Sequence, residues 1–278
     1  MKISVSSYGF TRQDKSFFEA LALAKQLGFD GIEFVDLPDI ETAKQLKEES
    51  ERLGISIVCY CTGADFLQKD VREEIVRLRG QVEIAKALGC KLMRHDASSG
   101  YAAEEAKTKG FEQALPVLAA GCRAVTEYAA EQGIATMVEN HGFFCQDSGR
   151  IARLVGAVGH ANFGALVDIG NFACADEDPT VAVGNLAPMA RHVHAKDFHM
   201  KPGTGDDPGE GWFRSRGGNF LRGAILGHGN IPVRQCLENL QRAGYDGWVT
   251  LEFEGIEDCV PALRMGKANL EAMLAKIQ

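Results

Sequence analysis

The chain has 278 residues, of which 45% are hydrophobic and 24% charged, with a mean hydropathy of -0.12 and only 8 prolines. Those proportions suit one large buried core and exclude a disordered or low-complexity polypeptide. A net charge of -8 without any basic run excludes a surface built to neutralise a phosphate backbone, so no nucleic-acid partner is expected.

Residues 2–8 form the first predicted strand, and the opening ten residues carry neither the basic stretch nor the apolar run of a secretory leader. Phe17, Leu21, Ala24 and Leu27 then recur at helical spacing, and Gln26-Leu27-Gly28-Phe29 ends that helix ahead of a strand at 31–35. Asp39 is placed to cap a second, highly charged helix, which Arg52-Leu53-Gly54-Ile55 closes before a strand at 56–60. Ile75, Leu78, Val82 and Ala85 mark the third helix, with Ala87-Leu88-Gly89-Cys90 leading to a strand at 91–95. Glu131-Gln132-Gly133-Ile134 precedes a fifth strand at 135–139, and further strands are expected at 164–168 and 191–196. Arg242-Ala243-Gly244-Tyr245 introduces the eighth, at 248–252. In each of these marks a glycine just past a helix supplies the left-handed turn that closes it.

Eight strands separated by helices, with a mean step of about 35 residues, fit a single (β/α)8 TIM barrel covering residues 1–278. An open doubly wound sheet would use the same alternation, but no glycine-rich phosphate turn follows the first strand. No apolar run reaches the ~18 residues needed to span a bilayer, so no membrane partner is expected. The 8 cysteines are scattered, and only Cys59 and Cys61 are close, sharing one face of a strand. They suit reduced thiols, many in the core, of a cytoplasmic protein.

Chemistry in such a barrel gathers at the C-terminal ends of the strands. Four strands end in groups able to bind metal or move protons: Glu139-Asn140-His141, Asp168-Ile169-Gly170-Asn171, His192-Val193-His194-Ala195-Lys196-Asp197, and Glu252-Phe253-Glu254. A lone acidic residue ending a strand is usually a helix cap or a surface charge. Two Glu, one Asp and one His at matching heights of four consecutive strands make a four-ligand site for one divalent cation, Mn, Co, Mg or Zn. Because alternate residues share a face, Glu139 points with His141, His194 with Lys196, and Glu252 with Glu254. His192 lies deeper, as a core residue. Glu252 is taken as the ligand, with Glu254 at the rim or supporting it.

These residues, together with Gly28-Phe29-Asp30-Gly31-Ile32-Glu33 and Gly227-His228-Gly229-Asn230-Ile231, resemble the sugar phosphate isomerase/epimerase family, the xylose isomerase-like barrels. The resemblance spans nearly the whole chain and includes ketose 3-epimerases, hydroxypyruvate isomerases and inosose dehydratases. It implies that Glu139, Asp168, His194 and Glu252 bind one divalent metal, with Glu139 and Glu252 as the catalytic proton-transfer pair. The implied reaction is isomerisation or epimerisation of a small sugar, ketose or sugar phosphate through a metal-stabilised enediolate. Dehydration of a polyol ketone is the alternative from the same site. An apurinic endonuclease-like hydrolase is disfavoured by the acidic charge, and a non-catalytic sugar-binding protein by four intact ligand candidates. A homodimer or homotetramer is compatible with the resemblance.

Many sugar epimerases have a histidine three residues after the metal aspartate; here that position is Asn171. Asn171 can hydrogen-bond a substrate hydroxyl but cannot titrate near neutrality, which leaves His141 or His95 to substitute. His95, Lys196 and Arg214 complete the expected substrate contacts. Arg214 belongs to the longest connection, where residues 201–230 hold nine glycines with Trp212 and Phe213 and are expected to form a lid-like loop.

Overall fold

The computed structural model describes residues 1–277. Its strands, in chain order, are β1 (Lys2–Ser6), β2 (Gly31–Val35), β3 (Ser56–Thr62), β4 (Leu92–His95), β5 (Ala135–Glu139), β6 (Phe163–Asp168), β7 (Ala190–Ala195), β8 (Asp197–Lys201), β9 (Phe213–Arg214), β10 (Phe220–Ala224) and β11 (Trp248–Leu251). Strands β1 to β7 and β11 are parallel and close into a barrel, with β1 paired to both β2 and β11. That closure excludes the open doubly wound sheet. The helices α1 (Tyr8–Thr11), α2 (Phe17–Gln26), α3 (Ile40–Leu53), α4 (Val71–Leu88), α5 (Phe111–Glu131), α6 (Ser148–Val158), α7 (Pro179–Leu186), α8 (Val233–Arg242) and α9 (Cys259–Ala275) accompany it. Among the described residues no helix is long and apolar enough to cross a membrane.

Local chemistry sets the element ends. Gly28, Gly54, Gly89, Gly133 and Gly244 all have φ between 63° and 87°, a region costly for residues with a Cβ. Asp39 caps α3 by accepting from Thr42 N at 2.7 Å, and Asp70 and Asp147 cap α4 and α6 in the same way. Ser16 and Glu19 close a reciprocal capping box at α2. The main core lies between strands and helices, where Leu21, Leu46, Leu78, Val82 and Leu118 are fully buried.

The barrel interior divides in two. Val58, Cys59, Cys61, Met137 and Leu166 pack as a separate apolar cluster. Ser4, Glu33, His192 and Thr250 are all fully buried and hydrogen-bond one another. All 8 cysteines are free and buried, with Cys59 Sγ and Cys61 Sγ 3.8 Å apart.

Part of the long connection, expected as a lid-like loop over residues 201–230, pairs as a ribbon. Strand β10 runs antiparallel to β8, from Phe220 opposite Lys201 to Ala224 opposite Asp197, and β9 adds to β10. Asp197 anchors its return: Oδ1 accepts from Phe198 N and Ile231 N, and Oδ2 from Gly227 N and Gly229 N, all within 3.1 Å. A Cβ at Gly229 would lie 2.1 Å from Asp197 Oδ1, so only glycine allows this approach.

Candidate metal centre

Period-two geometry sends Glu139, Asp168, His194 and Glu252 to the barrel axis from four consecutive strands. Each offers one ligand atom, and the four atoms lie within 4.8 Å of one another. All four residues are buried, Glu252 most exposed at 7%. His194 Nδ1 faces Glu252 Oε2 at 3.5 Å, Glu139 Oε1 at 3.6 Å and Asp168 Oδ2 at 3.8 Å, and has no hydrogen-bonding partner. A nitrogen lone pair and three carboxylates turned to one point, with a buried nitrogen left unpaired, fit a divalent cation.

Backbone devices aim these groups. Asp168 Oδ1 accepts from Gly170 N at 2.8 Å and Asn171 N at 2.9 Å, which leaves Oδ2 turned to the cluster. Gly170 is required, since a Cβ there would lie 2.9 Å from Lys196 O. Asn140 clamps β5 to β6, donating to Asp168 O at 2.9 Å and accepting from Asp168 N at 2.8 Å. Gln146 holds the next turn by donating to Asn140 O and Asn171 O.

Two buried cations flank the carboxylates. Arg94 pairs with Glu139, and its Nη1 lies 3.6 Å from Asp96 Oδ1. Lys196 Nζ lies 2.6 Å from Glu252 Oε2, 3.2 Å from Asp168 Oδ2 and 3.3 Å from Glu254 Oε1. Glu254 therefore stands at the rim, braced by Lys196. Asn171 bridges both sides, donating to Glu139 Oε1 at 3.2 Å and accepting from Lys196 Nζ at 3.1 Å.

The same packing sets protonation. Burial would raise the Glu139 carboxyl, but Arg94 and then His194 hold it well below the usual carboxylate range. Glu252 behaves alike, with burial outweighed by Lys196 and His194. Burial, helped by Glu252 and Glu139, pushes Asp168 up to about 7 against the opposing pull of Lys196. Burial alone would depress His194; Glu33 and Glu252 outweigh it and raise the imidazole well above its ordinary value.

A cavity opens on the cluster and is lined by Arg94, Glu139, His141, Lys196, Glu252 and Glu254 among others. His141 sits at its edge, Nδ1 3.1 Å from Asp96 Oδ1. Three expected substrate contacts do not line this cavity: Asn171 stands between Glu139 and Lys196, and His95 and Arg214 lie elsewhere. His95 points out of the barrel, fully buried, with Nδ1 2.7 Å from Asp96 O and its ring edge-on to Phe66. Its neighbour Arg94 takes the inward position, because successive strand residues face opposite ways. Arg214 lies over the Phe220 ring, 4.0 Å from its centroid, and donates to Gly218 O at 2.8 Å, so its guanidinium serves its own small sheet. Neither residue, nor Trp212 or Phe213, lines the cavity.

Arg94 and Glu33 are the groups that motif reading missed. Glu33 is fully buried inside the barrel, with Oε2 3.0 Å from His194 Nε2 and 3.2 Å from His192 Nε2. Both follow from alternation within a strand, Arg94 next to the outward His95 and Glu33 two residues after the inward Gly31.

Residues 21–275 match the family profile described as xylose isomerase-like TIM barrel. The chain is 22% identical over 275 residues to an inosose dehydratase of Geobacillus thermodenitrificans (strain NG80-2), covering 91% of this chain and 90% of that protein. Among solved structures it is similar to the IOLI protein with a bound zinc atom, with a TM-score of 0.80 at 17% identity over 100% of this chain and 99% of that one. It is similar also to a D-psicose 3-epimerase, with a TM-score of 0.75 at 15% identity over 99% of each chain. With its eight-stranded closure and a profile match over nearly its whole length, the chain belongs to the xylose isomerase-like TIM barrel family.

Proposed function

We propose that this protein is a divalent-metal-dependent isomerase or epimerase of a small polyhydroxylated carbonyl compound, working by proton transfer at the carbon beside the carbonyl. The observation that carries this reading is the convergence of Glu139, Asp168, His194 and Glu252 within 4.8 Å, flanked by two buried cations. The four residues would hold one cation, and a cation there supplies Lewis-acid polarisation of a carbonyl and of an adjacent hydroxyl.

The chain's own groups do the rest. Glu139 and Glu252 are both held ionised, each by a different cation, so either can accept a carbon-bound proton. In an epimerisation one takes the proton from one face, and the other, after drawing a proton from solvent, delivers that proton to the opposite face. Lys196 lines the cavity and can orient a substrate oxygen through its ammonium, while Asn171 holds the Lys196 and Glu139 side chains in place through its carboxamide. His141 at the cavity edge is placed to meet a more distant hydroxyl. The eight buried free thiols support a cytoplasmic setting.

Dehydration of a polyol ketone is a second reading. It is favoured by the likeness to an inosose dehydratase and by Lys196, whose ammonium beside Glu252 can protonate a departing hydroxyl once the same carbon has lost its proton. The test is incubation of manganese-loaded protein in deuterated water with a panel of free ketoses and keto-inositols, read by mass spectrometry and NMR. Deuterium beside the carbonyl with unchanged composition supports isomerisation or epimerisation, and loss of water supports dehydration. Full turnover after exhaustive chelation overturns both.

A further inference from the structure

We propose that Glu33 is a positioning residue that fixes the tautomer of His194, so that Nδ1 and not Nε2 is presented to the cation; this rests on the metal reading of the cluster above. Glu33 enters the barrel from β2, on the face shared with Gly31 and Val35, and is fully buried. Its Oε2 is 3.0 Å from His194 Nε2, whereas His194 Nδ1 faces three carboxylate oxygens at 3.5 to 3.8 Å. A neutral imidazole carries one N–H. Placed on Nε2, that proton is donated to Glu33, and the Nδ1 lone pair points to the centre of the carboxylates. The opposite tautomer sets a lone pair against the Glu33 oxygen and aims an N–H at the place a cation would occupy. Glu33 makes the first arrangement the favourable one, as carboxylates commonly do behind metal-binding histidines.

The carboxylate is itself held in place. Its Oε2 also lies 3.2 Å from His192 Nε2, which meets Thr250 Oγ1 at 2.7 Å, and Thr250 Oγ1 meets Ser4 Oγ at 2.7 Å. The His192 and His194 rings pack edge to face, with centroids 5.7 Å apart. Strands β1, β2, β7 and β11 thus share one buried polar network, and the Cys59 and Cys61 thiols of β3 border it at Glu33. An ionised carboxylate in such a place is retained only with donors around it, since its isolated burial would cost several kcal/mol. The motif of metal ligands does not account for this residue; the geometry behind His194 does.

The experiment uses zinc alone as probe. Zinc affinity is measured by competition with a chromophoric chelator for the unaltered protein, Glu33→Ala and Glu33→Gln. The histidine tautomer is read by ¹⁵N NMR of zinc-loaded protein, with the His194 signal identified by its loss in His194→Asn. The expected result is zinc on His194 Nδ1 with a proton on Nε2, about 10- to 100-fold weaker binding in Glu33→Ala, and recovery of most of it in Glu33→Gln, whose amide oxygen still accepts from Nε2. The NMR arm needs no variant at Glu33 and stands if Glu33→Ala fails to fold. Zinc bound through Nε2, or unchanged affinity in a folded Glu33→Ala, overturns the proposal alone. No zinc uptake by the unaltered protein overturns the metal reading, and the proposal with it.

Discussion

The mouth of the barrel and the connection from β7 to β11 are built from the same kinds of residue, yet they use charge in opposite ways. At the mouth, four strands deliver Glu139, Asp168, His194 and Glu252 to one buried point, and Arg94 and Lys196 face the surplus negative charge. In the connection, Arg214 lies on Phe220, Lys201 and Arg222 lie over Trp212, and Arg216 reaches Asp147 at 3.1 Å. Each of those charges is directed to a neighbour outside the cavity, and none lines it. Charged residues make a site where the backbone period forces them to converge; without that, they fasten a surface.

Substitutions at the mouth are the sharpest way to break this contrast. Glu139→Gln keeps the size of the side chain and removes its ability to accept a proton, so turnover is expected to fall by at least about 10²- to 10⁴-fold. Steady-state kinetics together with a thermal melt check this, because a folded, inactive variant separates chemistry from stability. An active Glu139→Gln would remove the proton-transfer pair from the proposal.

Protonation gives the next largest effect. Holding a divalent cation requires Asp168 to be ionised and His194 to be neutral with Nδ1 free of a proton, yet Asp168 is pushed up to about 7 and His194 well above its usual range. A cation must therefore displace protons, and its affinity rises as pH rises through neutrality. Each group still protonated costs about tenfold in affinity per pH unit below its own pKa. Zinc titrations at pH 6, 7 and 8 are expected to show binding tightening in that order, with protons released on binding. A flat or inverted profile would mean that the four groups do not act together on a cation.

How far these two regions were legible in the sequence differs for the same physical reason. The barrel was readable because its signals are local and periodic: Gly54 and Gly89 close helices in the left-handed region, and Asp39 caps α3. The ligand residues were readable because strand ends and side-chain alternation fix where Asp168 and His194 point. Alternation was also where the reading slipped, since one step along β4 separates the inward Arg94 from the outward His95. Glu33 ends the Gly28-Phe29-Asp30-Gly31-Ile32-Glu33 run, but its partner His194 is 161 residues away, and no local pattern links them. The β8–β10 ribbon was hidden because glycine-rich composition describes loops and tight ribbons alike, and the pairing of Phe220 with Lys201 depends on the distant anchor at Asp197.

That anchor predicts a stability effect without a chemical one. In Gly229→Ala the added Cβ would meet Asp197 Oδ1 at 2.1 Å and Phe198 O at 2.6 Å. The loop must move away from four converging hydrogen bonds, and overpacking of this kind costs about 1 to 3 kcal/mol. Urea unfolding is expected to show that loss, while zinc affinity of the folded variant stays unchanged. Weakened zinc binding would instead tie the ribbon to the metal centre.

The smallest effect is expected at Arg214, and it bears directly on the contrast between the regions. A lid arginine gripping substrate would lose binding on truncation, with KM rising and kcat held, or both falling if the contact forms only during reaction. The observed guanidinium, on the exposed strand β9, donates instead to Gly218 O and covers the buried Phe220. Exposed cation–aromatic contacts contribute about 0.5 to 1 kcal/mol, so Arg214→Ala should cost no more than that in stability and leave kcat and KM within about twofold. A KM raised tenfold or more would show that the ribbon bends over the mouth during turnover and that the local pairing of its charges is only its resting state.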